Sequence, residues 1–210
     1  MTRVLVKICG ITSPADARLA VEAGADALGF VFWPGSPRRV DPETARRIGA
    51  ELPPFVWRVG VFVDADRETL ATTADAAGLD LLQLHGDEPP EAFAGLTRRA
   101  LKALRVGGGF SPEMARPYEG RAAGLLLDTQ GGGAPGGTGR SFDWSRAEGL
   151  RERMGFLMLA GGLTPENVAE AIAVVRPHAV DVSSGVESAP GRKDPRRVRA
   201  FVEAVRRAEG

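Results

Sequence analysis

Lys7 and Cys9 share one short segment, Lys7-Ile8-Cys9-Gly10-Ile11-Thr12, in which an apolar run ends at a glycine. Alternation along a strand puts the ammonium and the thiol on one side, opposite Ile8. Cys9, the sole cysteine, is then either a small buried hydrophobe or a working thiol. As a base it needs a pKa lowered by a nearby ammonium or by oriented backbone N–H groups. Lys7 supplies such a field, or alternatively the Schiff-base amine of an aldolase-type enzyme. The second acid–base candidate is Asp128, which directly follows the apolar run Leu125-Leu126-Leu127. A carboxylate there must find donors or face a polar cleft, because burying its charge alone is costly. A glycine-rich loop, Gly131 to Gly139, comes next and reads as a surface flap or a closing lid. No Gly-Lys-Ser or Gly-Lys-Thr follows it, so the phosphate loop of nucleotide hydrolases is not matched.

Other residues suit an anionic ligand. Arg38 sits in the Pro/Gly-rich, aromatic stretch Phe32-Trp33-Pro34-Gly35-Ser36-Pro37-Arg38. That stretch is either an ordinary packed turn or a carboxylate-binding fork beside an aromatic surface. Gly161 and Gly162 end one apolar run, and Ser183-Ser184-Gly185 ends another. Glycines let backbone N–H groups approach a phosphate, and a short helix opening at the serines aims free N–H groups at the same point. His85, in Gln83-Leu84-His85-Gly86, is a weaker candidate for ligand contact, and His178 reads as structural. With one cysteine and two histidines so placed, no zinc set and no metal site is expected.

These residues need a framework that brings many strand ends together. Short apolar runs near 4–8, 27–31, 57–62, 80–84, 100–104, 123–127, 156–160 and 179–182 read as strands. Segments of helical period follow most of them, near 14–23, 42–51, 66–77, 89–96, 111–116, 145–152, 165–175 and 195–208. The runs are largely unalternated, as expected of a parallel sheet covered by helices. Ser13-Pro14, Asp41-Pro42, Ser111-Pro112, Thr164-Pro165 and Asp194-Pro195 mark helix starts, each a capping side chain followed by proline. Glycine, then an aspartate two residues on, then a strand, recurs at Gly24–Asp26 and Gly78–Asp80. An open doubly wound sheet shares this local alternation. The count of eight strands, and polar residues just past so many of them, favour a single (βα)₈ TIM barrel of the α/β class over residues 1–210.

At 43% hydrophobic and 26% charged the chain has ordinary globular composition, and 210 residues can bury one sizeable core. Its formal net charge is zero, which gives no bulk electrostatic reason for a nucleic-acid or anionic-membrane partner. No export signal or membrane-length apolar stretch is apparent, and a lone cysteine suits a reducing cytoplasm.

Several segments resemble phosphoribosylanthranilate isomerase of tryptophan biosynthesis, in family order along nearly the whole chain. They are Lys7–Thr12, Ser36–Arg38, Gln83–Gly86, Gly136–Trp144, Leu159–Leu163, Asp181–Glu187 and Gly191–Pro195. The resemblance implies an Amadori rearrangement of a phosphorylated sugar–anthranilate substrate, with no metal and no cofactor. It implies Asp128 as general acid, Cys9 as the base at sugar C2, Arg38 on the anthranilate carboxylate, and Gly161, Gly162, Ser183, Ser184 and Gly185 on the phosphate. Lys7 and His85 are further candidates for substrate contact. A monomer or a homodimer is equally compatible with the sequence. Arg140 and Arg192 depart from the commonest family pattern, in which lysine and an apolar residue are usual. A neighbouring phosphosugar epimerase or aldolase, and a nonenzymatic phosphate-binding module, are the competing readings.

Overall fold

The computed structural model describes residues 3–107, 109–129, 147 and 150–209. Eight parallel strands run β1 (Leu5–Cys9), β2 (Ala27–Val31), β3 (Trp57–Phe62), β4 (Leu81–Leu84), β5 (Ala100–Val106), β6 (Gly124–Thr129), β7 (Leu157–Leu159) and β8 (Ala179–Val182). They pair in chain order and close on themselves, β1 lying beside β8 with Lys7 opposite Asp181. The strand count and parallel order agree with the sequence reading, and closure removes the open-sheet alternative.

Alternation along each strand sorts side chains into two layers. Val6, Ile8, Leu28, Phe30, Leu82, Leu84, Leu125, Leu127 and Val180 join the main core cluster, whose helix residues include Ala17, Ile48, Leu70, Ile172 and Phe201. A second cluster gathers Leu101, Ala103, Leu126, Met158, Ala160 and Ala179 inside the barrel. A third, Cys9 with Val31 and Val61, packs near the carboxyl ends of β1, β2 and β3.

The α-helices are α1 (Pro14–Ala23), α2 (Pro42–Ala50), α3 (Arg67–Ala77), α4 (Leu150–Met154), α5 (Val168–Val175) and α6 (Pro195–Ala208). Ser13, Asp41 and Asp194 accept first-turn N–H groups at their helix starts, as their sequence context predicts. Gly24 closes α1 with φ of 102°, a left-handed conformation that glycine adopts without Cβ strain. The aspartates after the repeated glycines brace the neighbouring strand: Asp26 accepts from the Val6 N–H and Asp80 from the Arg58 N–H.

Three helix expectations are corrected. The 89–96 segment forms only a 3₁₀ turn at Pro90–Phe93, limited by the adjacent prolines and by Gly95 at φ of 68°. The 111–116 segment is 3₁₀ over Pro112–Tyr118, with Pro117 unable to donate an α-helical hydrogen bond. Near 165, Thr164 Oγ1 does accept the Glu166 N–H while its own N–H donates to Asn167 Oδ1, but the turn so capped becomes α-helical only at Val168, where α5 starts. Of the 145–152 expectation only Ala147 and residues from Leu150 onward are described.

Candidate active site

Cys9, Asp128, His85, Arg38, Gly161–Gly162 and Ser183–Gly185 all lie at or just beyond the carboxyl ends of strands, so barrel closure collects them around one mouth. Beneath that mouth Lys7 Nζ lies 2.9 Å from Asp181 Oδ2, with both side chains buried. Burial pulls the Lys7 ammonium down, but Asp181 and the Cys9 thiol outweigh it and hold Lys7 above the ordinary lysine value. An amine so held is a poor Schiff-base nucleophile, which weighs against the aldolase reading. Cys9 sits beside Lys7 with room made by Gly29 on the next strand, where a Cβ would lie 2.6 Å from Cys9 Sγ. Burial pushes the Cys9 thiol up, and the Lys7 ammonium opposes this without cancelling it.

Asp128 accompanies a chain of polar groups from β4. His85 Nε2 lies 2.9 Å from Asp128 Oδ2, and Gln83 Nε2 lies 2.9 Å from His85 Nδ1. The Gln83 amide and the Asp128 carboxyl thus flank the two ring nitrogens of His85. Gln83 is itself buried, and its Oε1 has no hydrogen-bond partner among the described residues. The loop carrying His85 is pinned from below. Buried Glu88 accepts from the N–H groups of Gly86 and Asp64 and from Lys102 Nζ, which also reaches the Gly86 carbonyl.

On the other side of the mouth Arg38 donates through Nε and Nη2 to Glu187, at 2.9 and 2.6 Å. Lys193 Nζ donates to the same carboxylate at 2.8 Å and to the Cys9 carbonyl at 2.5 Å. Burial raises Glu187, but the hydrogen bonds from Arg38 and Lys193 more than reverse this, and it stays below the usual glutamate value.

Between these groups, Gly161 and Gly162 turn with φ of 82° and 64°. The Gly162 carbonyl is engaged by Asn167 Nδ2 and the Gly185 carbonyl by Arg197 Nε. Among the described residues no backbone or side-chain acceptor takes the N–H of Gly161 or Gly162. The loops after β7 and β8 are in tight contact, since a Cβ on Gly185 would lie 1.9 Å from the Leu163 carbonyl oxygen. Ser183 Oγ is buried without a hydrogen-bond partner among the described residues. Free N–H groups and an unsatisfied hydroxyl at adjacent loops suit a phosphate.

The barrel therefore brings the sequence-selected residues to one end. Lys7 lies lowest among them and is enclosed. Gly131–Gly139 and the Gly136–Trp144 segment lie outside the described residues. His178 is at the opposite end, accepting from the Leu157 N–H and stacked on Phe156. Sequence reasoning gave no role to Asp181, Glu187, Lys193 or Gln83. The available signal was a charged or amide residue within an otherwise apolar strand, at Asp181 and Gln83. A cavity of about 400 Å³ opens at the amino ends of the strands instead, rimmed by Leu5, Phe55 and Trp57. Lys7 reaches its lining, whereas Cys9 and Asp128 do not.

Known proteins match this arrangement. The family model for N-(5'phosphoribosyl)anthranilate (PRA) isomerase matches residues 6–204. The N-(5'-phosphoribosyl)anthranilate isomerase of Pseudomonas fluorescens strain Pf0-1 is 56% identical over 207 residues, covering 98% of this chain and 100% of that protein. A phosphoribosyl anthranilate isomerase solved with reduced 1-(o-carboxyphenylamino)-1-deoxyribulose 5-phosphate superposes with a TM-score of 0.87 at 47% identity, covering 97% of this chain and 98% of the other. Monomers generated from the dimeric Thermotoga maritima enzyme also give 0.87, at 45% identity with the same coverage. With the model spanning the barrel from β1 into α6 and identity sustained end to end, the chain belongs to the N-(5'-phosphoribosyl)anthranilate isomerase family.

Proposed function

We propose that this isomerase carries out the Amadori rearrangement of N-(5'-phosphoribosyl)anthranilate, in tryptophan biosynthesis, with Asp128 as general acid and Cys9 as general base. Asp128 protonates the ribose ring oxygen as the C1–O bond opens, leaving an iminium between C1 and the anthranilate nitrogen. The Cys9 thiolate then removes the C2 proton, and that C–H electron pair neutralises the iminium to an enolamine. Tautomerisation gives 1-(2-carboxyphenylamino)-1-deoxyribulose 5-phosphate. The observation that carries this reading is a thiol and a carboxylate on β1 and β6, both toward the carboxyl-end mouth of the barrel, with an arginine fork and two adjoining glycine turns at the same end.

Burial holds Cys9 protonated in the free site, whereas a base must be ionised. Lys7 already opposes burial, and the iminium adds a second positive charge beside the thiol as the proton is taken. His85 donates to the carboxylate left on Asp128 after it gives up its proton. Arg38 receives the anthranilate carboxylate, and the Gly161–Gly162 and Ser183–Gly185 turns receive the phosphate. Binding energy remote from the reacting carbon thus positions C2 between acid and base.

The test is turnover of freshly generated N-(5'-phosphoribosyl)anthranilate in chelator-treated buffer, with the product identified by mass. Conversion by the wild type, with kcat falling at least about 100-fold in each of Cys9→Ala and Asp128→Asn, is the expected result. Folded variants retaining near wild-type kcat would overturn the assignment of acid and base.

For assembly we propose a homodimer joined through the amino-end face of the barrel. Phe55 is 90% exposed and Trp57 50%, next to an apolar cavity able to receive such a side chain. A relative of the same fold is described as dimeric.

A further inference from the structure

We propose that Glu187 and Lys193 are positioning residues for the isomerisation, which hold the Arg38 guanidinium as a preset carboxylate fork and tie it to the backbone of Cys9. The proposal rests on the reading of Arg38 as the group that receives the anthranilate carboxylate.

The two residues belong to a small hairpin, β9 (Glu187–Ala189) and β10 (Arg192–Lys193), which links β8 to α6. This strap is fastened to the end of β1 and the loop that follows it. Thr12 Oγ1 donates to the Gly191 carbonyl at 2.6 Å, and Lys193 Nζ donates to the Cys9 carbonyl. Arg38 therefore meets a carboxylate whose backbone is anchored to the strand that carries the thiol.

Donor arithmetic separates a splint from a competitor. A guanidinium has five N–H donors. Glu187 engages the Nε and Nη2 side, which leaves the Nη1–Nη2 edge as a second two-pronged fork. Charge points the same way. Arg38, Glu187 and Lys193 sum to one positive charge, so the cluster still attracts an anion. The Glu187 side chain is 4% exposed and that of Lys193 fully buried, so Arg38 cannot leave for a ligand without giving up its charge-assisted hydrogen bonds to a desolvated carboxylate that Lys193 would then hold as its one cation. Stereochemistry adds a third constraint: a Cβ on Gly10, at φ of 76°, would lie 2.6 Å from Arg38 Cδ. The aliphatic stem is thus seated over the glycine that follows Cys9, and only the fork is presented.

A purely structural Glu187 would affect all ligands equally; a positioning one affects the carboxylate alone. The experiment measures inhibition by reduced 1-(o-carboxyphenylamino)-1-deoxyribulose 5-phosphate and by its phenylamino counterpart, which lacks the carboxylate. Wild type, Glu187→Gln, Glu187→Asp and Arg38→Met are compared, with kcat and KM for the substrate. Loss of one charged hydrogen-bond pair predicts about a 10- to 100-fold weaker Ki for the carboxylate ligand in Glu187→Gln. The phenylamino ligand should change less than about threefold, and KM should rise much more than kcat falls. Glu187→Asp, which keeps the charge but shortens the reach, should fall between, and it remains informative if the glutamine variant fails to fold. Equal weakening of both ligands, or an unchanged ratio of their Ki values, overturns the positioning role. If Arg38→Met also leaves that ratio unchanged, the carboxylate reading of Arg38 fails; if Arg38→Met alone collapses it, only the role of Glu187 fails.

Discussion

Replacing Lys7 by methionine isolates the buried pair under the site. The side chains are similar in length, but the ammonium 2.9 Å from Asp181 Oδ2 is lost and a carboxylate remains enclosed. Breaking such a pair by removing one partner costs about 3–5 kcal/mol, a large part of the roughly 5–15 kcal/mol that holds a domain together. At roughly 2–4 °C per kcal/mol for a chain of this size, the melting midpoint should fall by on the order of 6–20 °C. Urea unfolding gives the free energy directly. The double variant Lys7→Met, Asp181→Leu buries no unpaired charge and should recover most of the loss. The same variant also reports on the thiol, because Cys9 is the sole cysteine and its ultraviolet thiolate absorbance belongs to one residue. Burial already holds Cys9 above its ordinary value, with Lys7 opposing; without Lys7 the thiolate should appear at still higher pH. The linkage follows in sign. A thiol whose pKa is raised by folding contributes stability fully below its unfolded value of about 8.5 and loses it as pH rises through the folded value. The part of the alkaline decline that belongs to the thiol should therefore move to higher pH in Lys7→Met, while the part that belongs to the raised Lys7 ammonium disappears. A single variant within about 1 kcal/mol of wild type, a double variant no better than the single, or a thiolate forming at lower pH would each refute the reasoning.

Two further outcomes test other parts of the molecule. Gly185→Ala places a Cβ 1.9 Å from a backbone oxygen of the loop after β7, so the two phosphate turns must separate. KM and the inhibition constant for inorganic phosphate should both rise about tenfold or more, and unchanged phosphate inhibition would remove this turn from the site. Phe55→Glu puts a charge on the exposed apolar rim. Sedimentation should show dimers for the wild type and monomers for the variant, with catalysis per chain retained, whereas wild-type monomers at micromolar concentration would remove the dimer.

What was legible in the sequence follows from how far apart the interacting residues lie. The eight strands could be read because each is a local run, and most helix starts because Ser13, Asp41 and Asp194 act within their own first turn. The segments after β4 and β5 were harder, since a capping serine at 111 promises an α-helix that Pro117 then prevents. Site residues were visible where one side chain was unusual in its own neighbourhood, as Cys9, Asp128 and Arg38 are. Pairings were not visible. Arg38 and Glu187 are 149 residues apart, and Lys193 and Cys9 are 184 apart, so nothing local indicates that they touch. Lys7 and Asp181 become partners only when β8 closes on β1, a register that no single segment carries.

The location of the buried charges supports a functional origin for them. Ion pairs removed from water are weak contributors to stability, because desolvation offsets most of their attraction. If they served only to hold the barrel together, either end of its interior would do. The lower interior is instead lined largely by apolar side chains such as Leu101, Met158 and Ala179, which need no partners, around the cavity open at the amino ends. Lys7–Asp181, Glu88–Lys102 and Arg38–Glu187–Lys193 lie toward the carboxyl ends of the strands or in the loops beyond them. Each also touches or supports a residue of the proposed chemistry: Lys7 adjoins the thiol, Glu88 pins the loop of His85, and Lys193 reaches the Cys9 carbonyl. These pairs put fixed charge of chosen sign around an anionic substrate, in a region of low dielectric where it acts strongly. An apolar filling of the same volume would give an equally stable barrel and no field at the reacting carbon.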